Sequence, residues 1–157
     1  MIHMGDELGL TNDDSYRRDP LRAGDNRWLN RPRMDWELAR ERHDERSVAG
    51  RIFLGLQRLI EARRGTSLFH GFGLFQPLWS HNEHVLGYAR KRPEGTVLVL
   101  ANFEESAQSI EAAMTRHAGL PGETHDLLAG GAPPPVRDGR LQLEPLSCRW
   151  LVGSSEP

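Results

Sequence analysis

Thr96-Val97-Leu98-Val99-Leu100-Ala101-Asn102-Phe103 is the stretch that decides the fold class. Its near-continuous apolar run, entered through the turn signal Pro93-Glu94-Gly95, fits a central strand. Further along, Leu141-Gln142-Leu143-Glu144 alternates apolar and polar residues, the pattern of a strand with one wet face. Working outward, strands are expected at 68–75, 84–90, 96–103, 107–113, 125–129, 139–146 and 148–152. Pro121-Gly122, Gly130-Gly131 and Asp138-Gly139 mark turns between them. Short strands at this spacing predict an antiparallel β-sandwich over residues 66–157.

Before the sandwich, the pattern changes period. Val48, Ile52, Phe53, Leu56, Leu59 and Ile60 recur at helical spacing and predict a helix over 47–64. Ser47 is placed to cap its start, and Arg63 and Arg64 suit the negative end of its dipole. Residues 1–46 open with a short apolar stretch, Met1 to Met4, followed by a long Asp- and Arg-rich segment. Asp35 to Arg42 suggests a short helix, and the rest reads as irregular loop, far beyond the usual length of about 4–6 residues. One apolar strand, a long loop and one helix ahead of a sandwich match the last β-α unit of a larger barrel. Residues 1–65 are therefore expected to be a strand-loop-helix remnant of a (β/α)8 barrel, and the fold class mixed but mainly β.

The chain has 157 residues, 38% hydrophobic and 27% charged, with a formal net charge of −2. That balance gives no electrostatic reason to expect nucleic acid or an anionic membrane as partner. No apolar run approaches the ~20 residues of a membrane span, and no signal-peptide pattern opens the sequence. A cytoplasmic setting is the expectation. The single Cys148 excludes an intramolecular disulfide and a cysteine metal cluster. His81 and His84 lack a third ligand at metal spacing, so a metal is not expected.

Three features bear on chemistry. Asp6 and Glu7, after Gly5, offer two carboxylates, but neighbours on an extended chain face opposite ways and do not readily flank one bond. A structural role is favoured for them. Trp28, Trp36, Trp79 and Trp150 are sugar-stacking candidates, with Trp79 the best placed in the β region and Trp150 better read as core. In Asp25-Asn26-Arg27-Trp28, Arg27 has the planar fork to hold a carboxylate. The residues alone leave that open against a surface arginine in an arginine-rich loop, which they favour.

Taken in order, these pieces resemble one family. Gly5-Asp6-Glu7-Leu8-Gly9 is similar to the segment that follows the eighth barrel strand in the α-amylase superfamily, glycoside hydrolase family 13. Asn12-Asp13-Asp14-Ser15-Tyr16, Asp25-Asn26-Arg27-Trp28 and Arg31-Pro32-Arg33 narrow the resemblance to the amylosucrases. Gly87-Tyr88, Arg90, Asn102-Phe103, His125-Asp126-Leu127-Leu128 and Trp150-Leu151 extend it through the β region. The resemblance implies a parent that transfers glucose from sucrose to an α-1,4-glucan, releasing fructose and retaining configuration, without cofactor or metal.

It further implies that the catalytic carboxylates come from upstream barrel strands, so that this chain alone holds no catalytic residue and is inactive. Arg27 matches the arginine that closes the floor of the glucosyl pocket by pairing with an upstream aspartate; with that partner missing, Arg27 is expected to be unpaired. Asp6, Glu7 and Asp25 are expected to support it. Sucrose and α-glucan would be partners through the parent, and the missing barrel portion an intramolecular partner. The rivals are a fragment of another family 13 enzyme, of α-glucosidase or trehalose synthase type, and a non-catalytic carbohydrate-binding or interaction module built around Trp79.

Overall fold

A computed structural model describes residues 2–154. The chain divides into two compact units, Met1–Glu61 and Ala62–Pro157.

The first unit corrects two expectations. Met1 lies outside the described residues, and Ile2, His3 and Met4 form no strand. A parallel strand is held only by its neighbours' hydrogen bonds, and the described residues of this unit offer none. Nor is the Asp-rich segment irregular. It is a string of short helical turns, Asp6–Leu8, Asp14–Arg18, Asn26–Asn30 and Glu41–His43, with a one-turn helix α1 (Trp36–Arg40). Aspartates start most of them. Asp13 accepts from the Ser15 N–H, Asp25 from that of Arg27 and Asp35 from that of Leu38. Each carboxylate engages an N–H that the turn cannot pair internally. The Asp13 N–H donates to the Leu29 carbonyl at 2.9 Å, which ties the second turn to the third.

Helix α2 (Val48–Arg64) forms as expected, with the Gly50 N–H donating to Ser47 Oγ at 2.9 Å. Its apolar face is half covered: Ile52, Phe53, Leu56 and Leu59 are partly buried, while Val48 and Ile60 are exposed. Gly50 is fixed by a close approach, since a Cβ built there would overlap the Asp44 carbonyl. Alanine normally favours a helix interior over glycine by about 1 kcal/mol. Here the sign reverses: Gly50→Ala is expected to lower the stability of this unit by about 1–3 kcal/mol, because the obstacle is backbone. Urea unfolding followed by far-UV circular dichroism measures it.

The second unit is a two-sheet sandwich. Its strands are β1 (Leu74–Leu78), β2 (Val85–Arg92), β3 (Gly95–Asn102), β4 (Gln108–Glu111), β5 (Thr124–Asp126), β6 (Val136–Arg137), β7 (Arg140–Leu143) and β8 (Cys148–Gly153). One antiparallel sheet runs β1-β2-β3-β8-β5 and the other β4-β7-β6. The run that opened the sequence analysis is the central strand β3, and Val97, Leu98, Val99 and Leu100 are all buried. Leu98 and Leu100 enter the core between the sheets with Val85, Ala89, Ile110, Leu141, Leu143 and Leu151. Val97 and Val99 face the other way and pack with Phe69, Leu68, Tyr88 and Trp150. Trp150 is thus core, its ring 4.5 Å from that of Phe69.

The Asp138-Gly139 turn joins β6 to β7 with φ of 50° and 72°, the two positive values a two-residue type I′ hairpin requires. Expected boundaries move, and a short helix is added. The first strand starts at Leu74, because Thr66 caps a helical turn at Ser67–Phe69. The strand at His125 ends at Asp126, whose side chain caps the turn Leu127–Ala129. A one-turn helix α3 (Met114–His117) follows β4 and sends Met114 into the core.

Two buried polar groups tie the sandwich together. Asn102 donates to the carbonyls of Ser106 and Glu144 at 2.9 and 2.8 Å and accepts from the Glu104 N–H at 2.9 Å, joining the chain after β3 to the turn before β8. Asp126, 2% exposed, pairs with Arg149 at 2.9 Å, and Arg149 also donates to the Gln142 carbonyl on the other sheet.

Candidate functional site

The candidate site is a cavity of about 480 Å³ in the first unit, lined by His3, Met4, Asp6, Leu10, Asn12, Arg27, Asn30, Arg31 and Pro32. Three local devices assemble it. Gly5, at φ 99°, turns the chain so that the Leu8 and Leu10 N–H groups both reach its carbonyl, which sets Asp6 and Leu10 on the wall. The Asp13–Leu29 hydrogen bond brings the segments of Asn12 and Asn30 together. The turn at Asn26–Asn30, closed by the Arg31 N–H on the Trp28 carbonyl, presents Arg27, Asn30 and Arg31. Behind it the Arg22 guanidinium lies 4.5 Å over the Trp28 ring, a cation–π contact that braces the loop.

Of the four residues singled out from sequence, Asp6 and Arg27 reach the cavity and Glu7 and Asp25 do not line it. The Glu7 carboxylate accepts from the Gly5 N–H and that of Asp6 from the His3 N–H, both at 2.9 Å. Both acids thus hold the turn they belong to. Arg27 is not unpaired as expected. Its Nε donates to Asp25 at 2.8 and 3.1 Å and its Nη2 at 2.8 Å, while its backbone N–H adds a further bond at 3.0 Å. A carboxylate two residues back is close enough to take the fork that sequence reasoning reserved for a distant partner.

The Arg27 side chain, and next its backbone N–H, hold the Asp25 carboxyl down at about 2. A depressed carboxyl contributes while it is ionised, so the clasp is complete above the ordinary aspartate range near 3.9 and is lost as pH falls through about 2. An NMR titration of the Asp25 carboxyl is expected to show that low midpoint. Arg27→Ala is expected to raise it toward, but not fully to, the ordinary value, since the backbone N–H remains.

Asn12, Asn30 and Arg31 are the site residues that sequence reasoning missed. The signal was present, since Asn12 and Arg31 fall within quoted motifs, but nothing in the sequence shows that Asp13 bonds to Leu29. The arrangement can bind through hydrogen bonds. Among the described residues it presents no carboxylate pair across one substrate bond, because Asp6 is the one acid of these that lines the cavity. Of the tryptophans, Trp79 is 66% exposed beside His81 on the β1–β2 connection, and Trp36 is 71% exposed.

In fold, the antiparallel sandwich of the second unit matches a C-terminal β-sandwich domain of the α-amylase superfamily. Residues 75–150 match the family model of the Maltogenic Amylase, C-terminal domain. Two solved structures share the fold. AmyP, crystallised with maltose, is 15% identical over 70% of this chain and 22% of its own, with a TM-score of 0.57. Amy13B of Eubacterium rectale is 17% identical over 76% of this chain and 22% of its own, with a TM-score of 0.52. The trehalulose synthase MutB of Pseudomonas mesoacidophila MX-45 is 24% identical over 73% of this chain and 19% of its own, with a TM-score of 0.48. The chain thus spans about a fifth of the length of the solved proteins it matches.

Proposed function

We propose that this chain is the C-terminal part of a glycoside hydrolase family 13 enzyme of amylosucrase type, whose barrel supplies the catalytic carboxylates. In that enzyme the sandwich packs against the barrel and stabilises it, and the Arg27 cavity helps to form the floor of the glucosyl pocket. The observation that carries the reading is that Asp6 and Arg27, taken from two separate motifs, line one polar cavity. The match of residues 75–150 to a maltogenic amylase C-terminal domain supports the family equally for an α-glucosidase or trehalose synthase type of parent. The exposed Trp79 is the observation that favours a carbohydrate-binding module instead.

The experiment compares this chain with an extended chain carrying the barrel strands. Release of fructose from sucrose is expected from the extended protein only. Robust turnover by the present chain would overturn the reading. An extended enzyme that hydrolyses maltose and leaves sucrose intact would replace it with the α-glucosidase type.

A further inference from the structure

We draw no further inference here: the strongest candidate, the exposed apolar patch of Phe75, Trp79, Leu86 and Phe103 on and beside the outer face of the β1-β2-β3-β8-β5 sheet, carries nothing, because nothing in the structure shows what covers it beyond the barrel contact already proposed.

Discussion

Asp126→Ala is expected to cost the sandwich about 3–5 kcal/mol, enough to leave it largely unfolded. The reason is the number of groups it strands. The Asp126 carboxylate, 2% exposed, accepts from Arg149 at 2.9 Å and from the N–H groups of Leu128 and Trp150 at 3.0 and 3.2 Å. Removing it leaves a guanidinium only 15% exposed without its counter-charge, together with two N–H groups lacking an acceptor. The pair itself is not the source of stability, because desolvating both ions offsets most of their attraction. Asp126→Ala combined with Arg149→Met should therefore recover much of the loss. Urea unfolding of the four proteins of this cycle measures the coupling, and additive single losses would show that the pair is not the cause.

The sandwich was legible because its evidence is periodic. Val97 to Leu100, the alternation at Leu141 to Glu144 and the Asp138-Gly139 turn each specify a strand or hairpin locally, and each lies where its pattern indicates. What failed was the reading of aspartate. Asp13, Asp25 and Asp126 looked like charge in loops or strands, and Asp35 like the first residue of a helix, but all four cap helical turns. Capping depends on one residue and the backbone after it, so periodicity carries no trace of it. The site was legible only in its motif residues. Asp6 and Arg27 were found; Asn12, Asn30 and Arg31 join them through a backbone hydrogen bond that no side-chain pattern encodes. The strand expected at Met4 failed for the opposite reason: an apolar run specifies burial, and only a neighbour's backbone makes it a strand.

The second large effect is expected at Leu98, where truncation to alanine should cost about 2–5 kcal/mol. Leu98 is fully buried, opposite Ala89 on β2 and Leu151 on β8, with Ile110, Leu141 and Leu143 of the other sheet in the same core. Its neighbours cannot close the gap, because those from both sheets sit on hydrogen-bonded ladders whose register is fixed. Leu86, one strand away and 51% exposed, provides the contrast: its truncation should stay within about 0.5 kcal/mol. The two units separate the result further. Trp28 and Trp36 lie in the first and Trp79 and Trp150 in the second, so single-tryptophan versions report each unit by itself. Leu98→Ala and Asp126→Ala should move the transition seen at Trp150 and leave the one seen at Trp28, whereas Gly50→Ala should do the reverse. If all three moved both transitions together, the chain would unfold as one cooperative body, and the division at Glu61 would have no thermodynamic counterpart.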